Sequence, residues 1–217
     1  MNTTSKILFT IGHSRHEIDY FVHLLKMHKI NCLIDVRSNP YSRIAPQFNK
    51  ETLANSLKAA NIIYLHFQKE FGARQTNVSL IDLENKVDYS RVRETEEFKE
   101  GVKRVFDGLE KGYNIALMCS EANPFDCHRF VMIAYYFVRE GMTVNHILKD
   151  GNKVDNSELE KELLKKYSKV LPVNDLFTNN VTDKLRLELA YRLRNRDIAF
   201  TAAETDLVQV VGISDQE

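Results

Sequence analysis

Short apolar runs alternate along this chain with longer stretches in which apolar residues recur every three or four positions. The short runs are typical of buried strands, and the wider spacing indicates amphipathic helices. The predicted strands are Ile7–Ile11, Cys32–Val36, Ile62–Phe67, Ile115–Met118 and Thr143–Leu148. Predicted helices begin near Ile18 and at Pro124, and two more cover Lys50–Ala60 and Arg91–Lys111.

Local signals refine the ends of these elements. Ser14 and Glu17 have the spacing of a capping box before the first helix. Asn123 followed by Pro124 fits an N-cap with proline at the first helical position. The segment Gln68–Tyr89 has mixed polarity and weak periodicity, so we predict a long functional or mobile loop there.

Strands that alternate with helices predict an α/β fold, with a mainly parallel sheet, helices on both faces and a helical C-terminal extension. From Ser157 onward the sequence is charged and helical, and the tail Asp206–Glu217 is predicted to be loosely ordered. We therefore expect an α/β domain over residues 1–155, which bears the cleft, and a helical extension with a tail over residues 156–217.

Polar residues follow three of the predicted strands. His13 and Ser14 come after the first strand, Asp35 and Arg37 end the second, and the loop Cys119–Arg129 follows the fourth. Right-handed crossovers place such strand-ending loops at one edge of a parallel sheet. Ligands of α/β proteins bind at that edge, so we expect these groups to form one cleft.

Composition changes this picture mainly by exclusion. With 217 residues, of which 43% are hydrophobic, the chain can bury a core of normal size. Its formal net charge of +0 does not indicate a nucleic-acid or membrane partner. The first residues lack a long apolar signal core, and no apolar stretch reaches the ~18 residues of a membrane span. We expect a cytoplasmic protein with no membrane partner, whose cysteines are reduced.

The loop Cys119–Arg129 concentrates the candidate chemistry. Zinc favours thiolate and imidazole ligands, so Cys119, Cys127 and His128, together with His13, form a candidate metal set. The cysteines are separated by seven residues, which is wider than the usual zinc knuckle, and packing of both cysteines in the core is the alternative. Cys127 near a helix amino terminus is also a candidate nucleophile, with His13 as its base.

Arginines and carboxylates at the same edge suggest anion binding and proton transfer. Arg37, Arg43 and Arg129 are candidate anion holders, because a guanidinium group matches phosphate and carboxylate oxygens. Asp35 and Glu121 can divide acid and base roles if their environments separate their pKa values. Ion pairs between these arginines and carboxylates, which would only fix the loops, are the alternative.

The last predicted helix carries a basic run that is either a solvated face or a nucleic-acid contact. Its members are Lys184, Arg186, Arg192, Arg194 and Arg196.

Four motifs, in this order, resemble those of a bacterial family called domain of unknown function 488. They are Thr10–Ser14, Asp35–Arg37, Pro46–Asn49 and the combination of Cys119-x-Glu121 with Cys127–Arg129. The resemblance runs from about Lys6 to Gly151. It implies an α/β fold with a site at these motifs and, for some members, an association with DNA repair through genomic context.

The sequence therefore predicts an enzyme of hydrolase or transferase type that acts on a small anionic, nucleotide-like ligand. The candidate catalytic residues are Asp35, Glu121, Cys127, His128 and His13, and the candidate ligand-binding residues are Ser14, Arg37, Arg43 and Arg129. No cofactor is identified. The alternatives are a metal-binding protein that uses Cys119, Cys127 and His128, or a non-catalytic binding module associated with nucleic acid.

Overall fold

The computed structural model describes residues 6–174 and 180–203, which fold around one six-stranded sheet. The strands are β1 (Ile7–Gly12), β2 (Cys32–Asp35), β3 (Ile63–His66), β4 (Ile115–Cys119), β5 (Thr143–Ile147) and β6 (Lys153–Asp155). Their order across the sheet is β3-β2-β4-β1-β5-β6. The first five strands are parallel, and β6, which the sequence did not predict, runs antiparallel to β5.

Helices cover both faces of this sheet, which confirms the predicted α/β class. They are α1 (Ile18–Met27), α2 (Lys50–Ala59), α3 (Gln68–Phe71), α4 (Tyr89–Val92), α5 (Glu96–Glu110), α6 (Tyr135–Arg139), α7 (Asn156–Lys166) and α8 (Asp183–Ile198). A π-helical segment, Arg129–Ala134, leads directly into α6. Among the described residues, no helix is both long and apolar enough to cross a membrane.

The central strand β4 is buried on both faces, which explains its unbroken apolar sequence. Leu117 packs in a core cluster with Val105 of α5, whereas its neighbours Ala116 and Met118 pack in a second cluster with Leu24 of α1. Successive side chains of a strand point to opposite faces, so β1, β2, β4 and β5 each contribute to both clusters.

After β4 the chain continues toward one face of the sheet. After the two neighbouring strands, β1 and β2, it continues toward the other face. β1 and β2 continue into α1 and α2, which pack in the same core cluster, and β4 continues into the π-helical segment, which packs in the other. Loops that diverge in this way open a crevice beyond the carboxyl ends of the strands. The expected cleft therefore lies around the end of β4.

The capping box predicted at the start of α1 is wrong. The helix begins at Ile18 with Glu17 as its N-cap, and no side chain makes a capping hydrogen bond there. Ser14 instead has a φ angle of 51°, a left-handed conformation within the turn that follows β1.

The predicted long loop between β3 and α4 contains more structure than its polarity suggests. It includes α3, a 3₁₀ turn at Val78–Leu80 and a short antiparallel bridge between Ile81 and Val87. Phe71 and Val87 are fully buried in this segment. Scattered apolar anchors thus fix a stretch that has no helical or strand periodicity.

The C-terminal helices pack on the same core as the sheet. Leu163 of α7 and Tyr191 of α8 belong to the cluster that contains Leu117 of β4. The predicted boundary between residues 155 and 156 stays a prediction, and the tail Asp206–Glu217 lies outside the described residues.

Most of the basic run in α8 is paired with acidic residues of the same chain. Arg194 is buried against Asp126, Arg196 pairs with Glu84, and Arg186 lies 3.9 Å from Asp183. The nucleic-acid contact stays a prediction.

Candidate metal centre

Backbone hydrogen bonds join the loops that follow β1, β2 and β4. The amide of His13 donates to the carbonyl of Cys119 at 2.9 Å, and the amide of Ser14 donates to the carbonyl of Ser120 at 2.9 Å. On the other side of β4, the amide of Val36 donates to the carbonyl of Met118 at 2.9 Å. The three predicted polar groups therefore meet at one edge of the sheet.

Four potential metal donors lie together at this edge. Cys119, Glu121, Cys127 and His128 each offer one ligand atom, and these atoms all lie within 4.8 Å of one another. We call these residues the four-donor cluster. Cys127 Sγ lies 3.1 Å from Glu121 Oε2, and each of the two sulfur atoms lies 3.7 Å from Nδ1 of His128. Donor atoms around a tetrahedral zinc ion with bonds of about 2.0–2.3 Å have separations of this size.

The ring of His128 is oriented for binding through Nδ1. Its Nε2 lies 3.3 Å from the carbonyl of Val36, which can only accept, so Nε2 carries the proton. In the neutral ring, Nδ1 then presents its lone pair to Cys119 and Cys127. A backbone carbonyl that fixes the far nitrogen of a histidine is a common second partner of histidine metal ligands.

The chain after Asn123 positions Cys127. The side chain of Asn123 accepts a hydrogen bond from the amide of Phe125 at 3.0 Å, so the predicted N-cap is confirmed, but the turn it starts, Pro124–Asp126, is a single 3₁₀ turn. Cys127 is extended, and its carbonyl accepts from the amide of Phe130 at 3.1 Å. Cys127 therefore lies just before the first turn of the π-helical segment, not inside a helix.

Arg129 is fully buried beside the cluster and fixes the loop around it. Its guanidinium group donates to the carbonyl of Glu121 at 2.7 Å and to that of Ala122 at 3.2 Å. Within the described residues no carboxylate pairs with it, and its Nε has no hydrogen-bond partner. Gly12 makes this arrangement possible, because a Cβ atom there would lie 1.8 Å from the carbonyl oxygen of Glu121.

Asp35 and Arg37 form a buried ion pair next to the cluster. Arg37 donates to both carboxylate oxygens of Asp35, at 2.9 and 2.6 Å, and to the carbonyl of Phe48 at 2.8 Å. Tyr64 donates to Asp35 as well, at 2.8 Å. Both members of the pair thus have internal partners that fix the loop after β2.

His13 belongs to the same network. Its Nδ1 lies 2.8 Å from the carbonyl of Ser14 and therefore carries the proton, which leaves Nε2 to accept from Arg37 at 3.1 Å. Its ring stacks on Phe48 with centroids 4.2 Å apart. Burial and the charge of Arg37 lower the pKa of His13 to about 4, so the ring is neutral near pH 7.

Two other predicted ligand-binding residues lie farther toward solvent. Arg43 is exposed on the loop after β2 and has no ion pair among residues 6–174 and 180–203. Ser14 is half-buried in the turn after β1. Neither belongs to the four-donor cluster.

The electrostatics of the cluster favour one thiolate. Burial opposes ionisation of Cys127, but hydrogen bonding with Cys119 and the positive charges of Arg129 and His128 hold its pKa well below the usual value. Burial and the neighbouring Cys127 raise the pKa of Cys119 well above its usual value. Burial disfavours the charged ring of His128, yet the charge of Cys127 raises its pKa.

Burial and the negative charge of Cys127 also raise the pKa values of two neighbouring groups. Glu121 is exposed as a residue, but its carboxyl group is turned inward, and burial together with Cys127 raises its pKa. Burial and the charges of Cys127 and Cys119 raise the pKa of the Tyr89 hydroxyl. Tyr89 was not among the predicted site residues, because it lay at the end of the predicted loop.

Comparison with known proteins decides the family. The family model described as "Domain of unknown function DUF488" matches residues 17–136, which is more than half of the chain. The chain belongs to the DUF488 family. The match includes β4 and the whole four-donor cluster of this DUF488 protein, and it confirms the resemblance drawn from the motifs. No curated protein and no solved structure was found to match the chain.

Three of the four donors of this DUF488 protein, Cys119, Cys127 and His128, were predicted from the sequence as members of one metal set. Glu121 was predicted as an acid or base instead, and His13, which was included in the metal set, lies outside the cluster. The signal for Glu121 was present, because it lies two residues beyond Cys119 and therefore follows the same strand end.

Proposed function

We propose that this DUF488 protein is a metal-dependent enzyme of hydrolase or transferase type, with a zinc-class ion held by Cys119, Cys127, His128 and Glu121. The observation that carries the proposal is the approach of four donor atoms to within 4.8 Å of one another. Two thiolates and an imidazole suit a borderline-soft ion such as Zn²⁺ better than Mg²⁺ or Ca²⁺, which prefer oxygen ligands.

The position of the centre supports catalysis over a purely structural role. It lies beyond the carboxyl end of β4, where α/β proteins bind ligands. It also lies at the start of a π-helical segment, and such segments are frequent at functional sites. A bound ion at this place would polarise a carbonyl or phosphoryl oxygen of the substrate.

The proposed substrate is a small anionic molecule, with a nucleotide-like ligand as the working choice. Arg37 and Arg129 donate mainly to acceptors of the protein itself, so the substrate's charge would be met by the ion and by the exposed Arg43. An ion and a guanidinium group are both suited to phosphate oxygens.

Metal analysis of the purified 217-residue chain tests the centre. We expect about one zinc ion per chain in the wild type, and a loss of most of this zinc in Cys127→Ser and in His128→Ala, since three donors bind zinc less tightly than four. Cys32→Ser is the matched control, because Cys32 is also a buried free thiol but lies outside the cluster.

Hydrolysis of a chromogenic phosphodiester tests the activity. A chelator should abolish turnover, and added zinc should restore it in the wild type and in Cys32→Ser. Circular dichroism of each variant separates loss of the ion from loss of the fold. Wild-type protein without stoichiometric metal would refute the metal centre, and turnover that survives complete removal of the metal would refute the metal-dependent mechanism.

A further inference from the structure

The donors of the cluster differ in their access to solvent. Cys119, Cys127 and His128 are 4%, 2% and 7% exposed, whereas Glu121 is exposed. The carboxyl group of Glu121 is turned inward, but the residue itself lies on the solvent side of the cluster, so a small molecule would reach the ion from this side when the carboxylate moves away. Catalytic zinc sites keep one such exchangeable position, and structural sites close all four.

The backbone and the carboxyl group of Glu121 are held by different partners. The carbonyl of Glu121 accepts from Arg129 at 2.7 Å. Its carboxyl group hydrogen-bonds with both cysteines, and Cys127 Sγ lies 3.1 Å from Oε2. Both cysteines would bind the ion as thiolates, which cannot donate a hydrogen bond, so the carboxylate would then be held by the metal alone. The side chain can therefore leave the ion while the loop stays in place.

The charge of the centre restricts what can replace Glu121. Two thiolates and one carboxylate bring three negative charges, a divalent ion brings two positive charges, and the buried Arg129 brings one more. The assembly is therefore neutral only while the fourth ligand carries one negative charge. An uncompensated charge in a buried site is costly, so a neutral replacement is disfavoured.

We propose that Glu121 is an exchangeable ligand and that its place is taken by a monoanionic oxygen ligand, such as a carboxylate or a phosphodiester oxygen. This inference rests on the proposed function, because it requires the ion. It deepens that function by naming the charge and the donor atom of the substrate group that binds the ion.

Cobalt(II) bound to the 217-residue chain provides the readout, because its visible spectrum reports the ligands and the geometry around the ion. Glu121→Ala removes the fourth donor, and acetate then offers the same group in solution. We expect acetate to return the Glu121→Ala spectrum to that of the wild type. Acetamide, which has the same shape without the charge, should bind at least tenfold more weakly.

Each result of this experiment bears on one claim. Wild-type protein that shows no thiolate-to-cobalt absorption refutes the metal centre itself, and the exchange falls with it. A Glu121→Ala protein that remains folded but no longer retains cobalt makes Glu121 a structural ligand and refutes the exchange alone. Equal effects of acetate and acetamide refute the requirement for one negative charge.

Glu17→Ala is the matched control. Glu17 is an exposed carboxylate at the same edge of the sheet, in the loop after β1, and it makes no capping hydrogen bond. Its removal should leave the cobalt spectrum unchanged and should create no response to acetate. An acetate response in Glu17→Ala equal to that in Glu121→Ala would show that acetate acts elsewhere and would overturn the proposal.

Discussion

At the scale of single residues, Gly12 lies beside the four-donor cluster at a position that has no space for a side chain. A Cβ atom there would lie 1.8 Å from the carbonyl oxygen of Glu121 and 3.0 Å from Nη1 of Arg129. We expect Gly12→Ala to lower the free energy of unfolding by about 2–4 kcal/mol, because the backbone of β1 or of the Glu121 loop must move. Urea unfolding of the purified protein measures this.

Gly108→Ala serves as the comparison for that measurement. Gly108 lies within α5, where an added Cβ atom meets only the terminal Cδ1 atom of Ile115, at 2.9 Å. The gain in helix propensity offsets this contact, so we expect a change smaller than about 1 kcal/mol. Equal effects of the two substitutions would mean that the close approach at Gly12 carries no special cost.

At the level of elements, α8 supports the loop that presents Cys127. Arg194 is buried on α8, donates to the carbonyl of Phe125 at 3.1 Å and pairs with Asp126. We expect Arg194→Ala to destabilise the protein by about 2–3 kcal/mol, since it leaves a buried carbonyl without its donor. The zinc affinity should fall as well, because the turn Pro124–Asp126 loses its support.

Arg192 offers a matched control on the same helix. It is exposed, so Arg192→Ala should change the free energy of unfolding by less than about 0.5 kcal/mol and should leave zinc binding unchanged. Thermal unfolding and zinc titration of both variants make the comparison. If Arg194→Ala behaved like Arg192→Ala, α8 would have no part in holding the site.

The elements differ in how far their sequences specified them. The five parallel strands were predictable because each is an apolar run that ends at polar residues, as Ile115–Cys119 does before Ser120. β6 was not, because its three residues are exposed or half-exposed, pair only with β5 and show no apolar run of their own. The start of the helix after Cys127 was misplaced because the N-cap at Asn123 serves a separate 3₁₀ turn.

On the scale of the whole molecule, chain topology predicted which loops meet but not which atoms do. Right-handed crossovers were enough to bring His13, Asp35 and Cys119 to one edge. The partner of each side chain depends on distances of a few ångströms that spacing along the chain does not encode. Arg37 therefore turned out to pair with Asp35, two residues away, and Glu121 joined the thiols.

A buried histidine makes the free energy of unfolding of the whole domain depend on pH. His146 of β5 is fully buried between Thr10 and Asn156, and burial, together with the charge of Arg129, lowers its pKa to about 3. Asp155 acts in the opposite direction, although less strongly. Below about pH 6.5 the unfolded chain binds a proton that the folded chain does not, so stability falls as the pH decreases toward 3.

His146→Gln tests this link. Between pH 6.5 and pH 4.5 the ring should contribute a loss of roughly 2–3 kcal/mol in the wild type, and the variant should lack this contribution. The difference between the two proteins in urea unfolding, measured at both pH values, cancels the carboxyl groups that they share. A difference that stays constant with pH would contradict the low pKa of His146.

X-ray absorption at the zinc edge of the zinc-loaded protein observes the ligands of the four-donor metal centre itself. We expect two sulfur neighbours at about 2.3 Å and two nitrogen or oxygen neighbours at about 2.0–2.1 Å, and only one sulfur neighbour around the zinc that Cys127→Ser still retains. A shell of six oxygen or nitrogen neighbours, or a spectrum without sulfur, would contradict it.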